Sequence, residues 1–404
     1  MSAAVYRPGV LLLIGFAAVS QIGGAMYTPS LPAMAGAFDA PMMTVQLTMT
    51  VYLVGYAVAQ ILVGSLADRF GRRVVMLSGL SLFTAASFAG AFASNIETLI
   101  AIRLVQACGA CVGLVVSRAI IRDCYDTSQG ARYMAYLGMA MGLMPALSPL
   151  LGGSLQVRFG WWANFLGMAA SGLAVLLGSA VSLRETLPRE KRTGMEPSVL
   201  FANYAKLLRS PAFLAYGLAL ALASAIFFVF LSGGPVVMIG GYGVSPDIYG
   251  FYALSMPSGF ISGNYLSSRI AHRVSLDRAI AYGFVFKVVA CALMIFAPMI
   301  GDFGAARFVL PMFLIGIGGG LITPNCFAGV VRGDPSLAGT ASGLSGFIQM
   351  GAAALATLVM GAIRHDSLLP YATLQLGLTL LGAVFFWLFI RHALRNEKAV
   401  SSLQ

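Results

Sequence analysis

The residues with the clearest chemical potential occupy ten consecutive positions, 64–73, between two apolar runs of helix length. Four of the ten are charged, although only 10% of the whole chain is charged. An acid that ends a helix among apolar residues needs a partner, and Asp123 ends a later apolar run in the same way. We predict that these charges form a network that holds one conformation closed; the alternative is that they only anchor the helix ends. The predicted network comprises Gly64, Asp68, Arg69, Gly71, Arg72, Arg73 and Asp123.

Three cations lie inside apolar runs rather than at their ends: Arg103, Arg118 and Lys287. An arginine inside a membrane span costs about 2.5–3.5 kcal/mol on insertion scales, so it usually faces water or a partner. Gln106 follows Arg103 by one turn on nearly the same face, which makes this pair a candidate binding site. The alternative is that Arg103 extends to the outer surface. Lys287 lies about two turns from one end of its run, and we expect its ammonium group to extend to that end.

One apolar run is marked by repeated glycines and two prolines. Small residues four apart let helices approach closely, and prolines inside a helix free carbonyl groups and bend it. Generic packing of a glycine-rich helix is the alternative. The residues concerned are Gly138, Gly142, Pro145, Pro149, Gly152 and Gly153.

Composition places these residues in a membrane. The chain has 404 residues, of which 59% are hydrophobic, and its mean hydropathy is +0.86; soluble domains are about 45–50% apolar. Apolar runs of about 20 residues must become helices in lipid, because every backbone polar group has to be paired internally. We therefore predict an all-α membrane protein with twelve spans, near 9–31, 44–66, 74–94, 97–121, 132–155, 162–183, 211–233, 246–268, 279–300, 305–330, 338–362 and 369–390.

The cations divide unevenly between the two sides of the predicted membrane. Of 25 Lys and Arg, three lie inside spans and three lie outside, namely Arg158, Arg307 and Arg364, which leaves nineteen on the side of the N-terminus. This bias predicts that both termini are cytoplasmic. It also accounts for the net charge of +11 without nucleic acid as a partner.

A polar stretch divides the chain into two halves of six predicted spans. We predict an N-terminal bundle over 1–183, a cytoplasmic linker over 184–210 and a C-terminal bundle over 211–404. The halves repeat weakly at an offset of 200 residues, where Leu66, Arg69 and Arg73 correspond to Leu266, Arg269 and Arg273. Two parallel six-helix pseudo-repeats are a common transporter architecture.

These motifs resemble those of the major facilitator superfamily. The stretch 64–73 is similar to its loop G-x-x-x-D-R-x-G-R-R/K, residues 103–109 to its R-x-x-Q-G motif, with Ala107 where glycine is usual, and residues 138–153 to the antiporter motif of its exporters. The ends of spans one, four and six resemble the bicyclomycin/chloramphenicol-resistance branch of the twelve-helix drug:proton antiporters. The resemblance implies alternating access, a small-molecule substrate, coupling to protons, a monomer in the lipid bilayer and no cofactor.

One departure from that branch concerns the expected acid of the first span, which is replaced by Ala25. All 14 acids of the chain map to loops or span ends. The usual coupling residue is therefore missing, and a positive interior disfavours cationic cargo. Neutral or anionic cargo is expected instead.

The leading interpretation is an exporter of small amphiphilic compounds in a bacterial inner membrane. Its predicted cavity combines aromatic, amide and cationic side chains, which suit amphiphilic cargo: Tyr27, Tyr52, Tyr56, Arg103, Gln106, Arg118, Phe227, Phe230, Asn325 and Gln349. The alternative is a dedicated exporter of an anionic metabolite, such as a siderophore or an organic acid, that uses Arg103 and Arg118.

Enzymes and metal centres are disfavoured by the placement of the reactive side chains. The histidines, His272, His365 and His392, fall in loops or at a span end, whereas an intramembrane enzyme needs convergent His, Asp or Glu at depth. Cys108 and Cys111 have no His or acid nearby, so we expect two small buried residues rather than a metal or redox pair.

The orientation is open to a direct test. A cysteine placed at position 195 should stay unlabelled by a membrane-impermeant thiol reagent in intact cells, because the linker is predicted to face the cytoplasm. Labelling in intact cells would reverse the predicted topology.

Overall fold

The computed structural model describes residues 7–192, 197–301, 306–332, 337–363 and 367–401. Its α-helices, in chain order, are α1 (Val10–Ala25), α2 (Leu31–Ala37), α3 (Met42–Phe70), α4 (Arg72–Gly90), α5 (Ile96–Cys124), α6 (Thr127–Phe159), α7 (Trp162–Ser182), α8 (Pro197–Leu208), α9 (Pro211–Pro235), α10 (Pro246–Tyr252), α11 (Ser255–Ile270), α12 (Leu276–Ile300), α13 (Ala306–Arg332), α14 (Ala338–Ala362) and α15 (Leu368–Ser401). Arg364 and His365 lie outside the described residues.

The predicted all-helical membrane fold is confirmed. Within the described ranges, 11 helical segments are long and apolar enough to cross a membrane, and α1 and α2 together form the first of these segments. The predicted eighth span, 246–268, is built differently, because the short helix α10 ends at Tyr252 and α11 begins at Ser255. Two shorter helices therefore occupy the place of one long span.

Helix starts follow from local side-chain caps. Asn95 accepts a hydrogen bond from the backbone N–H of Thr98 at 2.8 Å at the start of α5, and Asp126 caps α6 through Gln129 at the same distance. Such a cap contributes about 1 kcal/mol to a helix. The caps therefore fix where α5 and α6 begin, which sets the register of the residues that they carry.

The chain forms two compact units. Unit 1 contains Met1–Met195 together with Gly243–Phe251, and unit 2 contains Glu196–Tyr242 and Tyr252–Gln404. The predicted division into bundles 1–183 and 211–404 with a linker at 184–210 stays a prediction. In unit 1, α5 packs against α3, α4 and α1, and in unit 2, α13 packs against α11, α12 and α9.

Backbone-to-backbone packing joins α11 and α13 in unit 2. A Cβ atom at Gly263 would overlap the carbonyl oxygen of Ile317, and a Cβ atom at Gly259 would overlap that of Phe313. In the other direction, a Cβ at Gly316 would meet the carbonyl of Met256. Neither backbone can withdraw without moving a whole helix, so this pair requires glycine at the contact.

We predict that Gly263→Val weakens the fold of unit 2. The added methyl groups have no free volume between α11 and α13, and overpacking typically costs about 1–3 kcal/mol. The measurement is the thermal unfolding midpoint of the purified protein in detergent. Gly377→Val is the control, because Gly377 is exposed and no atom lies within 4 Å of its Cβ position. Equal midpoints for the two variants would contradict the packing argument.

Candidate functional site

Arg72 is the centre of a charge cluster at the start of α4. Its Nη1 lies 2.6 Å from Asp68 Oδ1, and its Nε donates a hydrogen bond to Asp123 Oδ2 at 3.0 Å. The Arg72 side chain is 8% exposed, whereas that of Asp68 is 47% exposed. One nearly buried guanidinium group therefore joins the end of α3 to the end of α5. The sequence predicted these three residues as partners, and the structure brings them together.

Glu185 completes the cluster, and sequence analysis assigned it no role. Its Oε1 accepts a hydrogen bond from the backbone N–H of Arg72 at 2.8 Å, and its Oε2 accepts one from that of Arg73 at 3.2 Å. The carboxylate thus caps the N-terminus of α4, where a negative charge is favoured. Arg192 approaches the same carboxylate at 3.7 Å. The only sequence signal was an acid just after a predicted span, which many loops have.

Gly71 is required by both conformation and space. It is the single residue between α3 and α4, and its φ of 98° lies in the region that favours glycine. A Cβ atom there would overlap Glu185 Oε2 and lie 2.7 Å from Arg192 Nη2. Gly64 is different, because it lies within α3 with no atom within 4 Å of its Cβ position. The expected tight turn is therefore made by Gly71 and not by Gly64.

The remaining arginines of the stretch have separate contacts. Arg73 donates hydrogen bonds from Nε to the carbonyl of Leu183 at 2.7 Å and from Nη2 to that of Ala180 at 3.1 Å, at the C-terminus of α7. A cation is favoured at a helix C-terminus. Arg69 is exposed and lies over the ring of Phe70, with 5.3 Å between Cζ and the ring centroid. Arg73 therefore binds α7 to the cluster, and Arg69 makes a local contact.

The two C-terminal glycines of α6 pack tightly against neighbouring backbone. A Cβ at Gly152 would overlap the carbonyl oxygen of Met26, and one at Gly153 would overlap that of Pro246. Gly138 and Gly142 have no atom within 4 Å of their Cβ positions. Pro145 and Pro149 are both buried inside α6. Close approach, predicted for the whole motif, is therefore found at its C-terminal end.

Arg103 is enclosed in the core of unit 1. The residue is 0% exposed, and its guanidinium group lies between two aromatic rings, 4.2 Å from the centroid of Tyr27 and 4.1 Å from that of Tyr52. The alternative in which Arg103 extends to the outer surface is therefore wrong. Its hydrogen-bond acceptors lie on α1, α3 and α5 of unit 1.

Two backbone carbonyl oxygens and one side-chain amide oxygen accept hydrogen bonds from Arg103. Nη1 donates to the carbonyl of Gly23 at 2.7 Å and to Gln106 Oε1, and Nε donates to the carbonyl of Thr48 at 3.4 Å. Gln106 in turn donates from Nε2 to Ser87 Oγ at 2.7 Å. Every acceptor is neutral, so ring faces and oxygen dipoles satisfy the charge in place of a carboxylate.

Two polar atoms beside this cluster have no hydrogen-bond partner in the part of the chain that the structure describes. They are Nη2 of Arg103 and the hydroxyl oxygen of Tyr52. Buried polar atoms of this kind usually bind ordered water or a ligand group. A hydrogen-bond acceptor placed here would complete the coordination of Arg103.

Arg118 lies on α5 with Arg103 but in more open surroundings. It is half-buried, and its Nη2 is 3.8 Å from the sulfur of Met141 on α6. The buried Tyr56 is adjacent to Tyr52, with 6.3 Å between the ring centroids. A sulfur atom is a weak acceptor, so the Arg118 guanidinium keeps most of its capacity for an anion.

The predicted cavity residues of unit 2 make two kinds of contact: the phenylalanines pack ring against ring, and the two amides donate hydrogen bonds to serine hydroxyls. Phe227 and Phe230 have centroids 6.4 Å apart, and Phe230, which is fully buried, stacks on Phe308 at 6.1 Å. Asn325 donates to Ser267 Oγ at 2.9 Å, and Gln349 donates to Ser224 Oγ at 2.5 Å. Phe230 therefore packs inside unit 2, and both amides join helices of that unit.

Lys287 does not extend to the end of its helix as expected. It is 0% exposed, and its Nζ donates a hydrogen bond to the carbonyl of Ala223 on α9 at 3.3 Å. Its ammonium group points to the neighbouring helix because that carbonyl is within reach there. The prediction of an end-directed side chain is wrong.

Comparisons with known proteins agree with the motifs. The family model described as Major Facilitator Superfamily matches residues 13–357. A chloramphenicol resistance protein of Pseudomonas aeruginosa is 29% identical over 386 residues, covering 93% of this chain and 90% of that protein. Multidrug resistance protein D of Escherichia coli K12 is 29% identical over 387 residues, covering 94% of each chain. The crystal structure of a D-xylose-proton symporter has the same fold, with a TM-score of 0.75 and 15% identity over 94% of this chain and 97% of that chain.

We predict that Asp68→Asn and Asp123→Asn each lower the transport rate about tenfold without removing the protein from the membrane. Each change removes a charge-assisted hydrogen bond to Arg72, which is worth about 1.5–3 kcal/mol. The measurement is the initial transport rate normalised to the amount of protein in the membrane. Asp126→Asn is the matched control, because Asn also caps helices and Asp126 contacts Gln129 instead of Arg72. Near-normal rates for the first two variants would leave only an anchoring role.

Proposed function

The chain belongs to the Major Facilitator Superfamily, and on that premise we propose that it exports small amphiphilic compounds in exchange for protons. The protein works as a monomer in a bacterial inner membrane, with both termini in the cytoplasm, and alternates access between the two sides. The names of its relatives, which include chloramphenicol and multidrug resistance, support drug efflux. The charge cluster around Arg72 serves as the gate that stabilises one of the two states.

The observation that carries the cargo preference is the enclosed guanidinium of Arg103. It is fully buried among carbonyl groups and two tyrosine rings, and every buried charged side chain of the described residues is a cation. A fixed positive charge in low-dielectric surroundings repels a permanent cation and does not penalise a neutral or anionic compound. Neutral amphiphiles and anions are therefore the favoured cargo.

A second candidate is a dedicated exporter of an anionic metabolite such as a siderophore or an organic acid. Arg118 favours this candidate, because it is half-buried and its contact with Met141 leaves donors for a carboxylate. The same guanidinium also fits a polar group on an otherwise apolar drug. Cargo breadth separates the two candidates, since a dedicated exporter accepts one chemical class.

The experiment is a resistance and transport panel. The protein is expressed in a pump-deficient host and challenged with chloramphenicol as a neutral compound, nalidixate as an anion and ethidium as a permanent cation. Proteoliposomes with an imposed pH gradient then test proton coupling for the same compounds. We expect export of chloramphenicol or nalidixate and little of ethidium. Strong, selective resistance to ethidium would overturn the cargo preference, and transport that ignores the pH gradient would overturn proton exchange.

We predict that Arg103→Ala lowers the export rate of nalidixate about tenfold and that of chloramphenicol less. Loss of one charge-assisted contact is worth about 1.5–3 kcal/mol, and each 1.4 kcal/mol is tenfold. Rates are normalised to folded protein by size-exclusion chromatography, because removal of a core side chain also affects stability. Arg158→Ala, which removes an exposed cation from α6, is the control. An equal loss for both compounds would assign Arg103 a purely structural role.

A further inference from the structure

Among the buried charged side chains of the described residues, Lys287 is the one that the predicted gate and binding site leave unused. We propose that Lys287 takes up and releases the proton that is exchanged for cargo, an inference that rests on the proposed proton coupling. The step is a simple proton equilibrium, in which the ammonium group gives up one proton to become the neutral amine and later regains one. A covalent intermediate and an additional reactant are not needed.

The position of Lys287 suits a carrier of charge within the membrane. It lies eleven residues after Leu276, the first residue of α12, which is about 16 Å along a helix that rises about 1.5 Å per residue. Lys287 is therefore close to the middle of the apolar span Leu276–Phe296. The residue is 0% exposed. In this structure the proton is therefore shielded from water, and exchange with water belongs to other states of the cycle.

The hydrogen bonding of Lys287 makes its charge poorly compensated. An ammonium group has three donors, and the acceptor found for it is the carbonyl of Ala223 at 3.3 Å, which is a long hydrogen bond. The titratable groups that act on it are two thiols, Cys291 on α12 and Cys326 on α13. A buried charge without a counter-ion costs much free energy. Loss of this hydrogen bond would therefore destabilise the ammonium form further.

A contrast with Arg103 identifies Lys287 as the exchanging group. A guanidinium group stays protonated in proteins, and Arg103 has three acceptors and two ring faces that stabilise its charge. Lysine is the cation that changes protonation readily when it is buried. The buried tyrosines and cysteines would have to become anions in an apolar core, which is costlier still. Among the described buried groups, Lys287 is the one suited to reversible proton exchange.

The neighbouring helices connect this proton to movement within unit 2. The carbonyl that accepts the hydrogen bond of Lys287 lies on α9. Helices α12 and α13 approach each other closely, as a Cβ atom at Gly318 would lie 2.5 Å from the carbonyl oxygen of Gly283. Helix α12 also packs against α15, where the hydroxyl of Thr379 donates a hydrogen bond to the carbonyl of Gln375 at 2.7 Å. On the same helix, the buried side-chain amide of Gln375 has no hydrogen-bond partner among the described residues. Polar atoms of this kind are favourable positions for ordered water, which transfers protons. A shift of α9 would remove the carbonyl and release the proton.

The test compares Lys287→Met and Lys287→Arg with the control Lys206→Met, which removes an exposed lysine from α8 of the same unit. Proteoliposomes carrying radiolabelled chloramphenicol are given an imposed gradient of about one pH unit, which supports up to about tenfold accumulation in one-to-one exchange. We expect both Lys287 variants to lose this accumulation and to keep equilibrium exchange of chloramphenicol, which needs no net proton movement. Rescue by Met would indicate a packing role, rescue by Arg would indicate a fixed charge, and either would overturn the proposal.

A second measurement reads the proton without transport. The chain has four lysines, Lys191, Lys206, Lys287 and Lys398, so replacing the other three by Arg leaves Lys287 as the sole lysine. With ¹⁵N-labelled lysine, the Nζ resonance in detergent should change between the ammonium and the amine form within the pH range in which the protein stays folded. An unchanged resonance across this range would overturn the proposal, even if Lys287→Met and Lys287→Arg fail to fold. If the wild type moves no compound of the panel, the proposed function fails, and this measurement still reports on Lys287.

Discussion

The cost of a positive charge in an apolar interior is the constraint on which unit 1 depends. Arg103 meets it with neutral groups from several helices: the carbonyl oxygens of Gly23 and Thr48, the amide of Gln106 and the rings of two tyrosines. Each acceptor contributes little alone, but together they enclose the whole guanidinium. Because these groups lie on α1, α3 and α5 or next to them, the same contacts that stabilise the charge also fix how these helices pack. A side chain enclosed in this way has a structural role, so the effect of its substitution has to be judged against the amount of folded protein.

The charges at the start of α4 are stabilised differently. Arg72 joins Asp68 and Asp123, and Glu185 caps the first turn of α4 through two backbone N–H groups. Here acids are present, because partly exposed carboxylates cost little free energy to keep charged. Partly exposed ion pairs are also weaker than buried ones, which suits contacts that would form and break in each cycle if the cluster is the proposed gate. In contrast, the cation of the core is 0% exposed and is held by groups from several helices.

Hydropathy and residue type were sufficient for the fold, because span length and apolar content are local properties of the chain. They were also sufficient for the pairing of Arg72 with Asp68, which are four residues apart. They also placed Asp123, 51 residues from Arg72, in the same network, because both acids end an apolar run. They failed where a distant partner has no such signal or where the choice is between neighbours. Glu185 caps a helix 113 residues earlier, and local sequence does not reveal that contact. Lys287 was assigned to the end of its span, since sequence alone does not show that a carbonyl of α9 is closer.

The two fully buried cations, Arg103 and Lys287, differ in their chemistry. A guanidinium group keeps its charge and offers fixed, planar donors, so Arg103 can orient polar groups without taking part in proton exchange. The ammonium group of Lys287 has one long hydrogen bond, to the carbonyl of Ala223, and in our proposal its protonation follows the position of α9. Replacement of the expected acid by Ala25 then has a physical consequence. An acid that binds a proton becomes neutral, whereas a lysine that binds one becomes charged, so the coupling proton in this chain would bring positive charge into unit 2 instead of cancelling negative charge.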